Sequence, residues 1–183
     1  LASVLTEGAA PAAWRAVAEG VALHPNDPPG DLMNPMLALL PKADAATQAA
    51  LAEALGRFRD EDLVEKLTTL ANDRGKPTVE RRGAALALGH HRTQEVTRVL
   101  LELSNLDQPE PVQEAAFTAL ATLTGLDEYG RDRAAWIDWW NSARRWSSSR
   151  WHERIMANLG RRDAARRQQQ QAIEERLLDS QRA

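Results

Sequence analysis

The side chains that could move a proton or hold a metal are few and poorly placed for either task. Four histidines occur, His24, His90, His91 and His152, in a chain without cysteine. His24 precedes a proline, adjacent His90 and His91 project in different directions, and His152 stands alone. None has a second histidine at the His-x3-His ligand spacing, so neither a metal nor a cofactor is expected. The carboxylate pairs Glu61/Asp62 and Glu174/Glu175 are sequence neighbours, and neighbours on a helix do not face each other. There is no Gly-x-Ser-x-Gly elbow, no phosphate-cradling glycine loop and no His-Glu-x-x-His run. Catalysis has nothing to rest on, and the expectation is a protein that is not an enzyme. An accessory enzyme or lyase, the alternative, would need a cluster of perturbed groups that the sequence does not display.

Aromatic chemistry is concentrated instead. Five of the six tryptophans lie between Trp136 and Trp151, in a chain with two Phe and one Tyr. Such a cluster could be a stacking platform for a base, a sugar or a proline. Its spacing says otherwise. At about 100° per residue Trp136, Trp139, Trp140, Ala143 and Trp146 fall within one arc of about 120°, with Asp138, Asn141, Arg144 and Arg145 outside it. That predicts a buried stripe, with Trp136 and Trp140 filling the last inter-helix core. Trp139, Trp146 and Trp151 would hold the final segment against it.

The elements that must carry this stripe are helices. β-branched and aromatic residues never alternate with polar ones over a useful length, whereas Ala, Leu, Glu, Gln and Arg dominate. A repeat runs through them. "AEALG" at 52–56 returns as "ALALG" at 85–89, and "FTALA" follows at 117–121. Leu63, Leu67 and Leu70 become Val96, Leu100 and Leu103 and then, after a longer loop, Trp136, Trp140 and Ala143. Asp60, Thr78, Thr93 and Asp132 suit N-caps, Pro111 a first turn and Gly125 a C-terminal cap. The prediction is an all-α chain, a short α-solenoid of antiparallel helical hairpins followed by a long C-terminal helix.

This pattern resembles the HEAT-repeat family, or more broadly HEAT/armadillo-like solenoids. "VQEAAFTALATLTG" (Val112 to Gly125) is similar to that family's first-helix consensus, and the resemblance covers residues 44–146. Residues 1–43 read as degenerate N-terminal helical repeats, with a helix around Ala12 to Leu23 and a short one after Pro35, and 147–183 as a polar, basic tail. The string "LTGLDEYGRDRAAWIDWW" resembles a closing motif of bacterial HEAT-repeat proteins. That resemblance implies an architecture and a bacterial source, and no activity.

The tail helix should run from about Arg150 to near Ser180. Its apolar stripe is Trp151, Ile155 and Leu159, then Ile173, Leu177 and Leu178 after a polar stretch holding Arg161, Arg162, Arg166 and Arg167. These are candidate contacts to a partner or to a second copy of the chain. On the second helices the outward positions form a ladder of Asp62, Glu65 and Thr69, then Glu95, Arg98 and Glu102, then Asp138 and Ser142. The ladder leans acidic and suits a polypeptide with basic groups.

Charge sharpens the choice of partner. Residues 1–130 hold 11 Lys and Arg against 19 Asp and Glu, whereas 131–183 hold 12 against 7. An acidic solenoid is a poor match for phosphate backbones, so nucleic acid would have to use the basic segment 144–167. No apolar run approaches the roughly 20 residues that span a bilayer, so no membrane insertion is expected of this segment. Absence of cysteine fits a bacterial cytoplasm or periplasm equally. The function expected is binding or assembly as a scaffold module, alone or as one subunit of a larger complex, with another protein or a second copy as partner.

Overall fold

Small side chains on the first helix of each hairpin and leucines on the second let consecutive hairpins nest. The computed structural model describes Leu5, Gly8 and residues 10–182, with the side chains of all of these except Glu61 and residues 179–182. Among the described residues there are nine α-helices. They are α1 (Pro11–Leu23), α2 (Met33–Leu39), α3 (Ala45–Leu55), α4 (Glu61–Asn72), α5 (Thr78–Leu88), α6 (Gln94–Leu103), α7 (Glu110–Thr124), α8 (Arg133–Ala143) and α9 (Ser148–Arg182). Helices α1, α3, α5 and α7 pack in sequence as one layer, and α4, α6 and α8 form the other. The chain is an all-α stack of hairpins closed by a long helix.

The repeat positions behave as a shared core. Leu63, Leu67, Val96, Leu100, Leu103 and Trp136 are at most 1% exposed, as are Ala52, Ala85 and Leu120 on the first helices. Gly89 ends α5 because a β-carbon there would lie 2.7 Å from the Cα of Ala119, so α7 can approach only a bare backbone. Polar side chains inside the stack join elements distant in sequence. The Gln48 amide donates to the carbonyl oxygens of Leu40 and Val79, 2.9 Å each. Buried Arg81 donates to the Ala71 carbonyl oxygen at 2.9 Å and to the Gln108 side-chain oxygen at 2.5 Å.

Helix ends follow the local chemistry, with one correction. Side chains of Asp60, Thr93 and Asp132 accept from the N–H groups of Leu63, Val96 and Ala135 at 3.2, 3.1 and 3.0 Å. Asp44 does the same for Thr47, and that hydrogen bond holds its carboxyl below the usual range. Thr78 is not a cap. Pro77, with φ fixed at −52°, takes the extended entry position and Thr78 is already helical. Pro111 lies in the first turn of α7, and Gly125 ends that helix in the left-handed conformation with φ at 73°.

Helix α9 begins two residues earlier than its sequence predicts, and its apolar stripe is docked. Trp151, Ile155 and Leu159 are 5%, 1% and 6% exposed. The docking passes directly over Gly125, where a β-carbon would stand 2.8 Å from the backbone nitrogen of Leu159. From Asp163 to Leu178 every described residue is exposed.

Candidate interaction surface

The closing aromatic cluster is built outward from Trp136. That indole is fully buried and donates to the Gly130 carbonyl oxygen at 3.1 Å. Tyr129 and Trp139 meet it edge-on at centroid distances of 5.1 and 5.9 Å. Trp139 in turn meets Trp146 at 6.2 Å and Trp151 at 5.9 Å, and Trp140 meets Trp151 edge-on at 6.3 Å. The Trp151 N–H donates to the Arg92 carbonyl oxygen at 3.0 Å. Trp136 fills the last core as expected, whereas Trp139, Trp140 and Trp146 are half-buried. Trp140 occupies the position of Leu67 and Leu100, yet no following hairpin covers it. It packs partly against the core, meets Trp151 in the first turn of α9, and lines a groove with part of its surface.

That groove has a volume of about 470 Å³ and lies between α6 and α8, bounded by the ends of α4 and α6. Leu101, Ile137 and Trp140 supply its apolar lining. Its charged rim is largely self-neutralised. Arg74 pairs with Asp107, and Arg98 pairs with Glu95 and Glu102 at 2.5 Å each. The hydrogen bond that Arg98 donates to Glu95 and the charge of Glu102 raise the Arg98 pKa above its ordinary value. Arg133, also in the lining, makes no ion pair among the described residues, and its Nε is buried without a hydrogen-bond partner. The ladder residues Asp62, Glu65, Thr69, Glu95, Arg98, Glu102, Asp138 and Ser142 are all exposed on the same layer of second helices.

The tail arginines divide into engaged and unengaged groups. Arg162, whose side chain is 17% exposed, lies 3.5 Å from the Asp127 carboxylate and donates to the Ala121 carbonyl oxygen at 3.0 Å. Arg166 reaches the same carboxylate at 3.2 Å, and Arg161 donates to the Asn158 side chain at 2.6 Å. Arg167 is exposed. Ile173, Leu177 and Leu178 are 50%, 57% and 52% exposed.

A family model described as HEAT repeats matches residues 33–121. These residues belong to the HEAT-repeat family. No curated protein and no solved structure gives a significant match. The HEAT match starts at Met33, inside the segment that the sequence assigns to a degenerate N-terminal repeat, because α2 and α3 already pack as part of the stack. It stops within α7, before the tryptophan cluster. Beyond the matched residues the loop before α8 is longer and indoles stand where the preceding second helices have leucines.

Within the HEAT stack, His90 and His91 sit at the turn after α5. Burial pushes His90 down to about 4, with the charges of His91, Arg92 and Arg162 acting in the same direction. Burial also lowers His91, whose Nε2 is enclosed without a partner. Among the described residues no group of three His, Asp or Glu is placed to hold a metal ion, and no helix is long and apolar enough to cross a membrane. Sequence reasoning identified the ladder but missed the groove and Arg133. The available signal was the spacing between second helices, which grows from 33 residues to 40 in the last unit.

Proposed function

We propose that this protein is a non-catalytic binding or assembly module that holds another polypeptide on the exposed face of α4, α6 and α8. The observation that carries this reading is the ladder on a HEAT stack, three successive second helices presenting aligned exposed side chains. Arg98 is the one cation of the ladder, and it is shared by two carboxylates on its own helix. Asp62, Glu65 and Asp138 keep their charge available, which favours a partner segment with basic groups. Nucleic acid fits less well, since Arg162 and Arg166 are tied to Asp127 and cannot release counterions from a phosphate backbone without first losing that carboxylate.

A second reading, self-association through the far half of α9, is favoured by the half-exposed Ile173, Leu177 and Leu178. Light scattering of the whole chain and of Leu177→Glu/Leu178→Glu separates the two readings. A monomer in both cases leaves the face as the binding element. A dimer abolished by the double substitution assigns association to the tail. Capture of a basic polypeptide that is lost with Glu65→Lys/Asp138→Lys supports the leading reading, and capture indifferent to that change opposes it.

A further inference from the structure

We infer that the groove between α6 and α8 is the specificity subsite of that face, taking an apolar side chain of the partner against Trp140 and an acidic one against Arg133. The inference rests on the reading of the α4, α6 and α8 face as a polypeptide-binding surface. It assigns opposite preferences to two parts of that face: basic groups along the ladder, and a carboxylate next to an apolar anchor at its end.

Three observations converge on it. Arg133, Ile137 and Trp140 stand at i, i+4 and i+7 on α8, a spacing that puts them on one face of the helix. All three line the groove opposite Leu101, so an apolar floor and a guanidinium share one concavity. Its volume, about 470 Å³, falls within the range of sites that enclose a ligand group. The second observation is charge. Arg74 and Arg98 are neutralised by Asp107, Glu95 and Glu102, so Arg133 is the groove's remaining unpaired cation among the described residues. Arg133 is half-buried and makes no ion pair among the described residues, and a guanidinium is best satisfied by a carboxylate taking two N–H bonds at once.

The third observation concerns where Arg133 and Trp140 are placed. A cation in the first turn of a helix gains nothing from the helix dipole, which favours anions there. A tryptophan at a position where the preceding repeats keep fully buried leucines leaves part of an indole in water, and Trp and Arg are among the residue types enriched at the few positions that carry most binding energy in protein interfaces. Seven residues of helix separate Arg133 from Trp140, about 10 Å at 1.5 Å per residue. An extended chain covers that distance in about three residues. The motif is therefore Asp or Glu with Leu, Ile, Met or Phe about three residues away from it.

The test is selection of random short peptides displayed on phage against the immobilised whole chain, run in parallel on Arg133→Gln and on Glu65→Gln/Asp138→Asn. Matching circular-dichroism melts establish that the variants fold. The expected result is enrichment of an acidic residue at that distance from an apolar one. A synthetic peptide from the enriched set should bind Arg133→Gln about tenfold or more weakly, since a hydrogen-bonded charge is removed. Replacing its acidic residue by the amide should then cost nothing further on that variant. Enrichment of basic peptides that depends on Glu65 and Asp138 but ignores Arg133 would overturn the subsite while leaving the face as a binding surface. No enrichment on any of the three chains overturns both.

Discussion

The indole N–H of Trp151 donates to the backbone carbonyl oxygen of Arg92 across 3.0 Å, joining the first turn of α9 to the turn between α5 and α6. That contact links residues 59 apart in sequence and fixes where the closing helix begins. Trp151→Phe keeps most of the buried surface and removes the donor, leaving the carbonyl unpaired, and should lower the unfolding free energy by about 1 kcal/mol. Trp151→Ala should lower it by about 3–5 kcal/mol. Denaturant titration of the two variants checks the ordering.

Trp136 and Trp140 differ in burial although they stand one turn apart, and their alanine variants should differ accordingly. Trp136→Ala removes a fully enclosed indole and should cost about 3–5 kcal/mol. Trp140→Ala removes a half-buried one at a groove and should cost clearly less, on the order of 1–2 kcal/mol at the lower area buried. Equal losses by thermal or chemical melting would mean that Trp140 is a core residue like its leucine counterparts.

Gly125 combines a left-handed backbone with a helix crossing directly above it. Gly125→Ala faces both the conformational penalty, about 1 kcal/mol or more, and contact below 3.0 Å with the backbone of Asn158 and Leu159. The variant should be destabilised and its α9 lifted. Hydrogen exchange should show the loss of protection confined to residues 151–159 before global unfolding, whereas uniform loss would place the effect in α7.

The buried histidine turn makes stability depend on pH in a set direction. His90 has an ordinary value of 6.5 and is held near 4 in the folded chain, so between these values the unfolded chain carries the extra proton. Folding stability is therefore complete above about pH 6.5 and falls as pH drops towards about 4, with His91 contributing in the same sense. The loss should be on the order of 1–3 kcal/mol. His90→Gln should flatten this part of the profile in urea titrations taken from pH 7.5 to 4. A profile of unchanged slope would assign the pH dependence elsewhere.

The hairpin stack was legible because its signals are local or strictly periodic. "ALALG" one repeat after "AEALG" fixes where the first helices end, and Leu63, Leu67, Val96 and Leu100 mark the face that the next hairpin covers. Trp136 continued that register correctly. Trp140 did not, since extending the register assumes that every unit is covered alike, and the unit at the end of a stack is covered by whatever docks there. The apolar stripe Trp151, Ile155 and Leu159 announced a buried face without saying what buries it. The pairing of Arg162 and Arg166 with Asp127 spans 35 and 39 residues and has no periodic signature. Arg133 escaped notice for a related reason: a single arginine acquires meaning only when its neighbours' charges are found to be paired already.

The central claim is that the α4, α6 and α8 face holds a polypeptide while docked α9 closes the stack. It is tested most directly by affinity capture from lysate with three chains in parallel: unaltered, Glu65→Lys/Asp138→Lys, and one ending at Arg167, with mass spectrometry of the eluates. The account predicts that one polypeptide is retained by the unaltered and shortened chains and lost from the charge-reversed one. Retention by the charge-reversed chain together with loss from the shortened one would contradict it and move the binding element to the far half of α9.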